Sequence, residues 1–333
     1  MSQSLFYEYS ITPDVFDADY ISANQKIEVI LPEILKGICK NGMIANLNKD
    51  GWIKHLENIR LPAVASIELK DQLLRLLKAL KDRNRLVRHP KASNGDPAND
   101  ADWLKLAIES HNHIKFDGII STKHLHQAST ISCAEFIDCL YVLNSPQWES
   151  RRHSLTLQSC EPYYRPVLDP VLRHAKSLTI VDPYFSPHAQ KYMDFLKICI
   201  DQMGRRGQST LPGRIRIHAG NPDSEYDYNR ETTIERLNAW ESRLKELYPS
   251  SIPHKITVYL RKQKSGGKKF HDRFILTDQC CIDIPMGTDT FSTSTPHSTT
   301  WSLVDYEDMQ AREQEIDPAM GVFEKLDERF LAV

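Results

Sequence analysis

The chain is 333 residues long, 41% hydrophobic and 26% charged, which suits one large or two ordinary globular domains and excludes a disordered or collagen-like polymer. Its formal net charge of -2 excludes a general attraction to nucleic acid, so any affinity for phosphate has to come from a local patch. No apolar run reaches membrane-spanning length, no secretory signal opens the chain, and the seven cysteines hold no Cys-x-x-Cys pair, so free thiols, no transmembrane segment and a cytoplasmic location are expected.

Residues 5–11 are a predicted strand, which Thr12-Pro13-Asp14 stops before a helix. Across 21–39, Ile27, Leu31, Ile34, Leu35 and Ile38 recur at helical spacing around Pro32, and Asn41-Gly42 is expected to form a left-handed cap. Residues 52–59 and 66–80 are further helices. The basic run Lys81, Arg83, Arg85 and Arg88 reads as a solvated face at a helix end, with a second phosphate contact as the alternative. Residues 90–99 form a loop. A helix over 101–111, a strand over 116–121 and a helix over 134–143 follow.

This first part, residues 1–145, is expected to be a mainly helical α/β domain. The stretch 100–104 with 117–122 downstream has the outline of acidic nuclease domains of the PIN-like kind, in which carboxylates hold a divalent metal. Asp14, Glu68 and Asp102 are the candidate ligands, against the simpler reading of acids that cap helices. His111, His113, His124 and His126 lack a Cys or Asp at recognised zinc spacing, which favours packing or surface roles.

Ser145-Pro146 breaks the preceding helix, and residues 146–162 are expected to be a linker. The second domain, 163–333, begins with a short helix over 164–174. Strands over 178–182, 215–218 and 255–260 then alternate with helices beginning near His188 and Glu231, the latter placing Ile234, Leu237, Leu244 and Leu247 toward the core. The order implies an α/β sheet covered by helices. The Ser/Thr-rich residues 291–300 read as a mobile loop, and 301–306 as a closing strand.

Chemistry concentrates in Gly267-Lys268-Lys269-Phe270-His271-Asp272-Arg273-Phe274-Ile275-Leu276-Thr277-Asp278. Alternating apolar residues predict a strand that includes His271 and Arg273, which then share a face and can address one anion together. Arginine offers a fork matched to phosphate oxygens, and a carboxylate such as Asp278, turned back at the strand's end, would orient the imidazole. Residues 261–269 form a basic loop within the basic stretch 261–273, and its Lys264, Lys268 and Lys269 are the candidate substrate contacts.

The spacing His-x-Arg-x-x-x-x-Asp resembles the His-x-Lys-x-x-x-x-Asp signature of the phospholipase D superfamily, with Arg273 at the lysine position. Leu178-Thr179-Ile180-Val181-Asp182-Pro183-Tyr184 ahead of it, and residues 282–291 behind it, make 165–333 similar to the phospholipase D-like domain at the C-terminus of MIT-domain proteins. The resemblance implies His271 as nucleophile, Arg273 as phosphate holder and Asp278 as their acidic partner, with no cofactor. Where the superfamily has Gly-Ser-x-Asn this chain has Gly287-Thr288-Asp289-Thr290, so Thr288 is a candidate phosphate donor. A single motif copy implies a homodimer that completes the site across a symmetric interface, with His188 or His218 as the partner within one chain otherwise. Nucleic acid is the expected substrate and bacterial antiviral defence the setting, by analogy. The alternatives are a noncatalytic module for anionic lipid or a partner protein, and a metal-dependent nuclease using the N-terminal carboxylates.

Overall fold

The structure, a computed structural model, describes residues 4–64, 66–89, 95–128, 135–203, 212–220, 231–251, 254–291 and 297–331. It divides into two units, Phe6–Arg152 and a second made of Met1–Leu5 and His153–Val333. Both are mixed α/β.

In the first unit, β1 (Tyr7–Ile11), β2 (Gly42–Asn46), β3 (Leu86–Arg88), β4 (Gly118–Ser121) and β5 (Phe136–Asp138) form an all-parallel sheet in the order β3-β2-β1-β4-β5. Every residue of β1, β2 and β4 is buried, as expected of parallel strands covered by helices on both faces. The cover comes from apolar stripes such as Leu31, Ile34, Leu35 and Ile38 on Ile27–Asn41 and Leu69, Leu73, Leu77 and Leu80 on Ile67–Asp82. Ser66 and Asn99 cap the helices Ile67–Asp82 and Asp100–His113 by accepting from Leu69 N and Asp102 N.

Three expectations change here. Gly42 takes φ -153° and opens β2, so the chain leaves the helix in extended form without a left-handed cap. The basic run is not a uniform solvated face: Arg83 and Arg85 both donate to Cys39 O, Arg85 is 1% exposed with its guanidinium 5.1 Å from the Phe6 ring, and the exposed Arg88 pairs with Asp50. The helix expected over 134–143 is β5 followed by a 3-10 turn, Cys139–Asn144, with Ala134 and Cys133 outside the described residues. His111 accepts from Phe116 N at Nδ1, and His126 stacks on Phe136 at 3.8 Å, both packing roles.

In the second unit, β6 (Ser154–Gln158), β7 (Ser177–Asp182), β8 (Arg214–Gly220), β9 (Lys255–Lys262), β10 (Phe274–Thr277), β11 (Cys281–Asp283), β12 (Ser298–Val304) and β13 (Glu324–Leu331) form one sheet in the order β13-β9-β8-β7-β10-β11-β12-β6. Only β7, β8 and β9 are parallel to one another; each of the other pairings is antiparallel. β6 lies in the expected linker: Leu155 and Leu157 alternate with Ser154 and Thr156, and pairing with β12 buries both leucines. The expected mobile loop runs into β12 from Ser298, while 292–296 are outside the described residues.

Alternation assigns the two faces of this sheet. Trp301, Tyr164 and Phe195 pack together on one face, where Phe185 also stacks on Trp240. On the helix Thr233–Leu247 the core positions are Leu237, Trp240 and Leu244, while Ile234 is 60% exposed at the first turn. Val181, Phe274, Leu276 and Cys281 face the opposite way, onto Met309 and Ile316 of the helix Tyr306–Ile316.

His218 of β8 is 1% exposed, stacks on Tyr259 and accepts from Arg261 Nε at Nδ1. Burial first, then the charges of Arg261 and Arg216, holds its pKa well below the usual imidazole value. The unfolded chain therefore binds more protons below about pH 6.5, and stability has to fall as pH drops through that range. Urea denaturation between about pH 7.5 and about pH 5 should show wild-type stability falling more steeply than that of His218→Gln, by up to about 1.4 kcal/mol per pH unit. Equal slopes for the two proteins would remove His218 as the cause.

Candidate functional site

Because β7, β8 and β9 are parallel, their carboxyl ends, Asp182, Gly220 and Lys262, gather at one edge of the sheet. β10 runs against β7 with Phe274 opposite Val181, so the residues just before it, 271–273, reach the same edge. The sequence thus brings the Asp-Pro-Tyr turn and the His-x-Arg segment together although about ninety positions separate them.

Asp182 is the hub. Its side chain, 1% exposed, accepts from Tyr184 N at Oδ1 (2.9 Å) and from Thr288 N and Oγ1 at Oδ2 (both 3.3 Å). Arg273 Nε stands 3.7 Å from Oδ1. Burial raises the carboxyl pKa, against the pull of Tyr184 N, Arg273 and Thr288 N. Gly287 belongs to this geometry: it sits at φ +85°, and a Cβ there would come 3.1 Å from Asp182 Oδ2 and 3.4 Å from Arg273 Cδ.

Arg273 donates to Pro285 O at 2.9 Å, and its guanidinium lies 4.7 Å from the centroid of the Tyr184 ring. Its side chain keeps 20% of its surface open. His271 is exposed and lies ahead of the strand, because regular β10 pairing begins at Phe274. Among the described contacts His271 makes no hydrogen bond or ion pair. Asp272, between the two, lines a cavity of about 390 Å³ with Asp283, Asp305, Asp308, Arg312 and Glu315.

Lys268 is drawn toward that acidic cavity, pairing with Glu315 at 2.7 Å and Asp272 at 3.2 Å. Partial burial lowers its pKa, but the two carboxylates outweigh it and the net shift is upward. Lys264 and Lys269 are exposed.

Two expected roles move. Asp278 sits at the far end of β10 from His271 and accepts from Lys176 N (2.7 Å) and Ser177 N (3.3 Å), fixing the β10–β11 turn to the start of β7; the extended strand between them keeps it from turning back to the imidazole. Thr288 is fully buried with its hydroxyl given to Asp182, so it is not placed to donate to a ligand. His218 is buried, and His188, exposed, meets Glu231 at 2.9 Å.

In the first unit Asp14, Glu68 and Asp102 do not come together. Asp14 accepts from Thr122 N and Oγ1 and from Ser121 Oγ, Asp102 Oδ2 accepts from Ala98 N, and Glu68 is exposed in the first turn of its helix. Arg60 bridges Asp17 and Asp100. Among the described residues the three candidate ligands do not share a group at metal-ligand distance.

Asp182 and Tyr184 are the site residues that motif spacing did not mark. The signal for them was the Asp-Pro-Tyr turn at the end of a buried strand, the place where α/β sheets gather functional groups.

No protein-family model and no curated protein matches the chain. Among solved structures it is similar to Nuc from Salmonella typhimurium, a phospholipase D family member, at 13% identity over 52% of this chain and 96% of that one, with a TM-score of 0.31. A likeness of this size assigns neither family nor activity.

Thr288→Val deletes one of the donors to Asp182 and sets a methyl against a buried carboxylate. Urea denaturation near neutral pH should show a loss of about 1–3 kcal/mol; an unchanged midpoint and slope would mean that the Thr288 hydroxyl does not support the hub.

Proposed function

We propose that the protein is a phosphodiesterase of the phospholipase D type that acts on nucleic acid at the carboxyl-end edge of its second sheet. The observation that carries this reading is the pair His271 and Arg273, two positions apart at that edge. Arg273 is held by Pro285 O and Asp182, and His271 is open to a ligand. A phosphodiester needs a fixed cation for its oxygens and a nucleophile in line with the leaving group; the guanidinium and the imidazole are groups of those two kinds. Lys264 and Lys269, exposed on the preceding loop, extend positive charge along a polymer backbone.

In this mechanism the His271 imidazole attacks phosphorus, an N–P bond forms and the bond to the leaving oxygen breaks. A second imidazole gives that oxygen its proton. Water then attacks phosphorus, the N–P bond breaks, and the second imidazole takes the water's proton, restoring both groups. Burial removes His218 as that second group. A second copy of this chain, related by a two-fold axis, supplies His271 again and makes the active form a homodimer. Destruction of invading nucleic acid is the cellular role that fits such an activity.

A second reading is kept because specific contacts favour it. Thr288 and Asp278 are both committed to structural bonds, as they would be in a noncatalytic module that binds anionic lipid or a partner protein.

Incubation with plasmid, single-stranded DNA and RNA, with EDTA or with added Mg²⁺ or Mn²⁺, separates the readings. Cleavage is expected to survive EDTA and to fall roughly 100-fold or more in His271→Ala. Binding that weakens with salt but leaves every strand intact would support the module, and cleavage abolished by EDTA and by Asp102→Ala would move the chemistry to the first unit. Sedimentation should show a dimer. A monomer retaining full activity would rule out the shared site.

A further inference from the structure

We propose that Tyr184 is a stacking platform for an unpaired base, so that the nucleic acid held at this edge is single-stranded. The inference rests on the reading of Arg273 as a phosphate contact and adds to it which form of polymer the site accepts.

Tyr184 is 54% exposed, yet the backbone on either side of it is fixed. Its N–H is bonded to Asp182 Oδ1, and Gly220 N donates to Pro183 O at 3.0 Å, with so little room that a Cβ on Gly220 would come 2.5 Å from that oxygen. The next residue, Phe185, is fully buried and stacks on Trp240 at 5.6 Å. A lone exposed tyrosine is ordinary on a protein surface. This one differs in its neighbours: the Arg273 guanidinium lies over its ring, and Met286, 66% exposed, follows the carbonyl that Arg273 holds.

The edge therefore offers an aromatic face, a planar cation and a polarisable apolar side chain around one anion-holding group. That is the combination an unpaired nucleotide needs, with its base stacked and its phosphate on the guanidinium, and it tolerates any sequence because every base has a π face. A duplex keeps its bases stacked on each other and presents only backbone, so Tyr184 has nothing to receive from it.

Fluorescence anisotropy with labelled oligo(dT), a duplex of the same length and an abasic strand of the same length tests this, in the full-length chain and in Tyr184→Leu, Tyr184→Phe and Arg273→Ala. The expected result is tighter binding of oligo(dT) than of duplex, weakened between about fivefold and about 100-fold by Tyr184→Leu and restored by Tyr184→Phe. Binding of the abasic strand should be indifferent to Tyr184 and lost in Arg273→Ala. If oligo(dT) binding is the same in Tyr184→Leu, or if the duplex and abasic strands weaken as much, the stacking role is overturned while the phosphate contact stands. If no strand binds, or if Arg273→Ala changes nothing, the phosphate contact fails and takes the stacking role with it.

Discussion

One buried carboxylate holds the candidate site in shape. Asp182 ends β7, and three segments meet on its two oxygens: its own turn through Tyr184 and, from far along the chain, the loop through Thr288 and the Arg273 side chain. A carboxylate taken out of water is costly unless its lone pairs are met, and here backbone N–H groups, a hydroxyl and a nearby guanidinium meet them. Burial raises its carboxyl pKa, and these donors pull it back down. Such a group stays in place only where the surrounding chain is over-determined, which Gly287 at φ +85° and the tight approach of Gly220 to Pro183 O supply.

The segment that leads into β10 also divides its charge. Asp272, between His271 and Arg273, joins Asp283, Asp305, Asp308 and Glu315 around the acidic cavity. Lys268 follows it there. Positive charge that looks continuous in the sequence is thus partly neutralised at Lys268, by Glu315 of the helix Tyr306–Ile316 and by Asp272. Lys264 and Lys269 stay exposed, and Arg273 keeps 20% of its side chain open. The small overall charge of the chain is consistent with a local patch of this size.

The elements with strong periodicity were legible beforehand. The helices Ile67–Asp82 and Gln190–Met203 and the strand β7 follow directly from the spacing of their apolar residues. Short parallel strands were not: β2 reads Gly-Met-Ile-Ala-Asn and β3 only Leu-Val-Arg, runs too brief to show a period, and both are defined by pairing with distant neighbours. β6 was hidden for a related reason, since its hydroxyl residues look like linker until the partner strand β12 is present. At the site, the motif spacing does not reveal that Asp278 bonds to Lys176 N and Ser177 N or that the Thr288 hydroxyl is given to Asp182. Which end of a strand an aspartate serves, and whether a threonine is open or spent on a neighbour, are decided by tertiary contacts that spacing does not encode.

The arginine at position 273 follows from this arrangement. One side chain reaches Pro285 O with NH1, approaches Asp182 with Nε and lies over the face of Tyr184. A lysine ammonium is a compact point charge: it could meet the carbonyl or the carboxylate, but it has no plane to lay on the ring and no rigid fork to span both acceptors. Arg273→Lys would keep the charge and lose the joint between the three segments. The arginine therefore suits an edge in which one cation organises its own surroundings, joining the turn through Tyr184 to the loop through Pro285.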